Sequence, residues 1–250
     1  MIPADERLDS EREFHNRAFR DRPRQRVSRY YAIKGAIDRA FDAALFAAPA
    51  GQRVLEYGCG MGERLFRLSR AGASCHGIDL SDYAIESLRQ RAVAAGLDID
   101  YQVMNAEALA FEGQTFDLVF GSGILHHLDL ERGLASVAQV LKPAGRAVFI
   151  EPLGHNPVVN GFRRSTPGLR TPDEHPLRRA DMAVFRRHFG RVHLRPYFLL
   201  TLALPVLLGS RVPRPLLALC NGLDRVAFAL VPPLRWQAWQ VLLVLEQPQC

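Results

Sequence analysis

The spacing of apolar residues divides the chain into a helical preface and a longer alternating region. Between residues 10 and 48, Phe14, Phe19, Tyr30, Tyr31, Ile33, Ile37, Phe41 and Leu45 recur at helical intervals, predicting one or two helices over a 1–48 cap. From residue 53 the pattern changes to short apolar runs separated by amphipathic stretches. RVLEY (53–57), 74–80, a segment around 99–104, 115–122 and 146–152 read as strands, and 62–72, 81–96 and 131–142 as helices. Ser81 and Gly96 have the residue types of an N-cap and a C-cap for the second of these helices. Further on, 180–189 reads as a helix, 191–198 as a strand, and a final strand falls near 238–245. Strands alternating with helices predict an α/β domain over 49–250, its parallel sheet covered on both faces by right-handed crossovers. Ligands of such sheets lie beyond the carboxyl ends of the strands.

One loop at such an end stands out. RVLEYGCGMGE (53–63) sets Gly58, Gly60 and Gly62 at alternate positions directly after the first strand. Glycine costs backbone entropy, so three in a row at this spacing imply a close approach to the main chain. The dinucleotide fingerprint GxGxxG fails, because Glu63 stands where its third glycine belongs, and no GxxxxGK[ST] phosphate loop is present. Glu56, two residues before Gly58, would repel a pyrophosphate. The loop therefore predicts a close-fitting ligand that is neutral or cationic at this end.

The segment E56-Y-G-C-G-M-G62, with Asp79 closing the second strand, resembles the first motifs of class I S-adenosylmethionine-dependent methyltransferases. N105-A-E107, FDLVFGSGILHHL (116–128) and LKPAGRAVFIEP (141–152) continue the resemblance in order, over roughly residues 50–152. It implies a Rossmann-like, seven-stranded, mostly parallel sheet ending in an antiparallel hairpin, and S-adenosylmethionine as cofactor. The same resemblance implies a cofactor site at Tyr31, Glu56, Gly58, Cys59, Gly60, Gly62, Asp79, Leu80, Asn105, Ala106, Glu107, Gly121 and Ser122. In it, Asp79 would accept from the ribose hydroxyls, 105–107 would flank adenine, and the glycines would admit the methionine moiety. An acidic strand end tolerates a sulfonium and an ammonium where it would not tolerate a pyrophosphate.

Methyl transfer to a hydroxyl gains from a base, and histidine is the usual supplier. His126 is the preferred candidate, by its likeness to the acid–histidine turn of quinone-biosynthetic O-methyltransferases. Glu151, His155 and His175 are the further catalytic candidates, and His127 reads as a histidine packed on the sheet. No metal is expected, since HxxxH, HxH and ExxEH spacings are all absent around these residues. The Pro/Gly-punctuated stretch 151–177 reads as a lid loop.

Composition narrows the acceptor. The chain is 48% hydrophobic and 23% charged, which excludes a disordered polymer. Residues 163–195 hold nine arginines against three carboxylates, an excess equal to the whole net charge of +6. The apolar stretch 199–233 reads as an insertion in the final hairpin. It could serve as core packing, a lid over an apolar acceptor, a peripheral membrane contact or a homodimer contact, and its longest charge-free run is too short to span a membrane. Together these features point to a small amphiphilic or anionic acceptor, such as a natural product, a lipid intermediate or a sugar. Nucleic acid is disfavoured, because G121-S-G-I replaces the [DN]PP[YF] of base-amino methylases. A nucleic-acid or protein methyltransferase, or a cofactor-binding scaffold without chemistry, are the alternatives. Scattered cysteines and a polar, acidic N-terminus predict a cytoplasmic protein.

Overall fold

The computed structural model describes residues 4–21, 30, 32–169, 171 and 174–249. Helix α1 (Ala4–Asp21) and helix α2 (Gly35–Leu45) precede the sheet. There follow β1 (Arg53–Tyr57), α3 (Arg64–Arg70), β2 (Ser74–Asp79), α4 (Asp82–Ala94), β3 (Ile99–Val103), β4 (Phe116–Ser122), α5 (Leu130–Val140) and β5 (Leu141–Pro152). The chain then forms α6 (Pro157–Ser165), α7 (Met182–His188), β6 (Phe189–Tyr197), α8 (Ala203–Leu208), α9 (Arg214–Leu230) and β7 (Gln240–Pro248).

The seven strands form one sheet in the order β3-β2-β1-β4-β5-β7-β6, the Rossmann-like arrangement expected. β1 lies between β2 and β4, Val54 pairing in parallel register with Cys75 on one side and Leu118 on the other. β7 runs antiparallel to both β5 and β6, with Ile150 opposite Leu242 and Val192 opposite Leu245. The period of two along β1 explains the layering. Val54 joins a core with Ile37, Phe41, Leu65, Leu88 and Phe120, while Leu55 and Tyr57 face the opposite layer with Val137, Phe149 and Phe185. The neighbours β1 and β4 mark the point where the chain reverses its order, so a crevice opens outside their carboxyl ends.

Local chemistry sets the element ends. Ser81 accepts the N–H of Ala84 at 3.1 Å and starts α4, and Gly96 follows it at φ 65°. Two stretches are more ordered than their composition predicts. The expected lid loop 151–177 contains α6, because Asn156 caps Val158 and Val159 at 2.9 and 3.1 Å and Pro157 fits the first turn. The insertion 199–233 is the helical pair α8 and α9. Its entry is held by Asp224, which is buried and accepts the N–H groups of Leu199 and Leu200 at 3.0 and 2.7 Å and the Thr201 hydroxyl at 2.7 Å. No helix among the described residues is long and apolar enough to cross a membrane.

Candidate functional site

A cavity of about 220 Å³ opens at the crevice, walled by Gly58, Cys59 and Gly60 after β1, Asp79 and Leu80 after β2, Ala106 after β3, and Ser122 and Gly123 after β4. The glycines are there for two reasons. Gly58 and Gly60 adopt φ of 71° and 50°, the left-handed region that side chains disfavour. A Cβ at Gly58 would also lie 2.8 Å from the Ile124 side chain, and one at Gly60 would lie 3.2 Å from the ring of Phe19.

Asp79 ties this floor together. One of its oxygens accepts the Gly60 N–H at 2.8 Å and the other the Ser81 N–H at 2.9 Å. Burial raises its carboxyl above the ordinary range, and those two backbone bonds pull the other way. Glu56 is fully enclosed beneath the loop. Its side chain faces Gly62 and the start of α3 rather than the cavity wall. Burial pushes its carboxyl up to about 8, against the attraction of Arg64 and with the repulsion of Asp79. The Cys59 thiol is likewise raised by burial and by both carboxylates, so it is no nucleophile.

The other residues expected at the cofactor divide clearly. Leu80, Ala106 and Ser122 line the cavity, whereas Asn105, Glu107, Gly62 and Gly121 stand behind it. Asn105 accepts the Glu107 N–H at 2.9 Å. Glu107 is buried; its Oε1 accepts the Asp129 N–H at 2.8 Å together with the Arg7 guanidinium, while its Oε2 makes no hydrogen bond. Gly121 leaves no room for a side chain, since a Cβ there would be 2.6 Å from the Tyr57 carbonyl oxygen. Tyr31 lies outside the described residues. Its neighbour Tyr30 packs its ring against Phe162 and Trp239.

Beside the cavity, Glu151 and His126 form a dyad. Glu151 ends β5 with no solvent exposure; its Oε1 accepts the N–H groups of Ile124 and Leu125 at 2.9 and 2.8 Å. Its Oε2 lies 2.7 Å from His126 Nδ1. An ionised carboxylate there fixes the proton on Nδ1 and leaves Nε2 as the basic nitrogen. The ring runs past Gly123 in the cavity wall, where an added Cβ would lie 3.6 Å from its Cε1. Glu151 thus holds both the turn after β4 and the His126 ring. His155 and His175 are spent on loop structure. His155 Nε2 accepts the Arg179 N–H at 2.9 Å beside Trp236, and His175 is half-exposed with Nε2 3.2 Å from Asp181. The backbone N–H of His175, donated to the His126 carbonyl at 2.7 Å, is its contribution to the site.

Sequence reading expects the N-terminal helices, 151–177 and 199–233 to roof the pocket but gives no role to the α1 residues that line it; of those three segments only the first lines this cavity among the described residues. Arg7, Glu11, His15 and Phe19 project from α1 into the cavity, and His127 joins them from below. Glu11 is buried; burial alone would raise its carboxyl, but the adjacent His127 and His15 outweigh this and hold it well below the ordinary range. Burial pushes the His127 imidazole down, against the opposing pull of Glu11. The signal was the i, i+4 spacing of Glu11 and His15, which places both on one helix face.

Residues 54–145 match the family model described as a methyltransferase domain. The ubiquinone biosynthesis O-methyltransferase of Chelativorans sp. (strain BNC1) is 38% identical over 96 residues, which is 38% of this chain and 38% of that protein. The aklanonic acid methyltransferase of Streptomyces sp. (strain C5) is 36% identical over 132 residues, 51% of this chain and 56% of that protein. The chain therefore spans between about two fifths and just over half the length of these curated relatives. Among solved structures, magnesium protoporphyrin IX methyltransferase from Synechocystis PCC 6803, with bound S-adenosylhomocysteine, superposes with a TM-score of 0.59 at 15% identity, covering 96% of this chain and 99% of that one. At that identity the likeness speaks for the fold. The matched segment contains the glycine loop, Asp79 and the β4 turn, so residues 54–145 are a methyltransferase domain of the class I, S-adenosylmethionine-dependent kind.

Proposed function

We propose that this chain transfers a methyl group from S-adenosylmethionine to a hydroxyl of a small amphiphilic or anionic acceptor, with His126 as base. The observation that carries the reading is the Glu151–His126 dyad beside a cavity floored by Gly58, Gly60 and Asp79. The floor suits the cofactor: it offers left-handed glycines and the Asp79 carboxylate, and the chain has no phosphate loop. Asp79 would hold the ribose, and Ala106 and Leu80 would flank the adenine. When bound, S-adenosylmethionine supplies a methyl already activated on a sulfonium, so no covalent intermediate with the protein is needed. His126 Nε2 would take the proton that the acceptor's hydroxyl gives up as its oxygen accepts the methyl group. Glu151 holds the ring and stabilises the imidazolium. Holding the two reactants in line contributes up to ~7–11 kcal/mol.

Substituting His126→Ala should lower turnover ~10²–10⁴-fold with S-adenosylhomocysteine affinity nearly unchanged. The limb of the pH–rate profile that rises as an imidazolium loses its proton should disappear with it. Full activity in the variant on a panel of hydroxylated natural-product extracts would overturn the base assignment. Tight binding of NAD and none of S-adenosylhomocysteine would overturn the cofactor itself.

The insertion supports an acceptor found at a lipid–water boundary. Leu219, Leu223, Val226 and Leu230 are exposed along one face of α9, beside exposed Val206, Leu207 and Leu208 of α8. Arg211, Arg214 and Arg225 are exposed in the same segment, and its carboxylate, Asp224, is buried. Apolar area with cationic surroundings fits an anionic membrane surface. The chain should sediment with phosphatidylglycerol vesicles, and L219S/L223S should stay in the supernatant. Equal sedimentation of both would remove the reading; a concentration-dependent dimer lost in the variant would assign the face to a second copy.

A further inference from the structure

We propose that Glu11, His15 and His127 form a binding site for one divalent transition-metal ion of the zinc type, set in the roof of the cavity. Glu11 Oε2 lies 3.2 Å from His15 Nε2 and 3.4 Å from His127 Nδ1, and the ligand atoms of all three residues fall within 4.8 Å of one another. Ligands held ~2.0–2.2 Å from a tetrahedral ion sit ~3.3–3.6 Å apart, so the two separations from Glu11 are already close to the edges of such a tetrahedron.

The second observation is independent of the spacing. Glu11 is 3% exposed, yet neither of its oxygens makes a hydrogen bond, and His127 Nδ1 makes none either. The separations are those of close neighbours, yet these atoms make no hydrogen bond with one another. A buried carboxylate with no hydrogen bond is costly, and a cation at that point relieves the cost. The other nitrogen of His127, Nε2, lies 3.9 Å from Glu174 Oε1, placing a carboxylate in the direction from which metal-bound histidines are commonly steadied.

The donor set selects the ion. Two neutral imidazoles and one carboxylate suit zinc, and poorly suit calcium or magnesium, which take oxygen ligands. Three protein ligands leave a fourth position, and all three residues line the cavity. The class of ligand for that position is an oxygen of the acceptor, whose hydroxyl would lose its proton to His126 more readily on a metal. That use rests on the methyl-transfer reading; the existence of the site does not.

Metal-stripped, full-length protein titrated with Zn²⁺ against a chromophoric chelator should bind one equivalent. Glu11→Gln and His15→Ala should each weaken that binding at least ~10-fold. His193→Ala, altering a side chain 67% exposed far from the cluster in sequence, and His126→Ala should leave it unchanged. Co²⁺ in place of Zn²⁺ should give a tetrahedral visible spectrum that Glu11→Gln abolishes. Binding unaffected by Glu11→Gln and His15→Ala would overturn the site, as would an equal loss in His126→Ala, which would move the ion to His126, His127 and Glu174. Calorimetry with S-adenosylhomocysteine on the same variants checks that they fold, and because no turnover is measured, failure here leaves the methyl-transfer reading standing.

Discussion

The floor and the roof of the cavity are built in opposite ways. The floor comes from four strand ends, those of β1 to β4, with the Asp79 carboxylate tying the Gly60 and Ser81 N–H groups together. The roof is one helix, α1, attached through side chains: Arg7 to the His127 carbonyl and Glu107, and Asn16 to Asp82 at 2.7 Å and to Ser81 at 2.5 Å. Sheet ends position atoms by main-chain geometry and change little on binding. A helix held by polar side chains over a cavity can open at lower cost, which suits the wall through which ligands pass. On the methyl-transfer reading proposed above, the floor would govern affinity for the cofactor and the roof what is placed over it.

The largest effect that tests this division is at Asp79. Asp79→Ala removes an acceptor from the proposed ribose site and also frees the Gly60 and Ser81 N–H groups that shape the loop. Hydrogen bonds to charged groups contribute ~1.5–3 kcal/mol, so S-adenosylhomocysteine should bind roughly 10–100-fold more weakly by calorimetry. Unchanged affinity would mean that the floor does not hold the ribose, and the comparison between floor and roof would fail at its first step.

The same contrast explains what could be read from the chain. The floor is local in sequence: a strand, a glycine turn and a helix lie within residues 53–70, and each signal has a short-range physical cause. Glu151 and His126 are 25 residues apart, yet both follow strands of one sheet, so strand order alone brings them together. The roof is not local. Glu11 meets His127 across more than a hundred residues, and nothing in the period of α1 specifies the face of the sheet on which it packs. His155 and His175 misled for a related reason. Histidine in a Pro/Gly-rich stretch looks like active-site chemistry, but the same ring nitrogens serve equally to accept from Arg179 and to pair with Asp181. The glycine at 121 shows the reverse case, a position within a matched motif that serves packing against the Tyr57 carbonyl.

A smaller effect at Glu56 sharpens the account of the floor, since this carboxyl lies beneath the loop and outside the cavity wall. Its carboxyl ionises near 8 in the folded chain against 4.5 ordinarily. Through that window the folded protein keeps a proton that the unfolded chain has released, so stability falls as pH rises from 4.5 to about 8 and is level above it. Glu56→Gln removes the titration while keeping the shape, and should raise Tm by a few degrees at the top of the window, at roughly 2–4 °C per kcal/mol for a chain of this size. It should also flatten the decline of Tm with pH, read by thermal unfolding across the window in the absence of cofactor. A Tm–pH profile parallel to the parent's would mean that Glu56 ionises normally in the folded chain. The anionic charge under the loop would then be present before the cofactor arrives, and the floor would attract the sulfonium without giving up a proton.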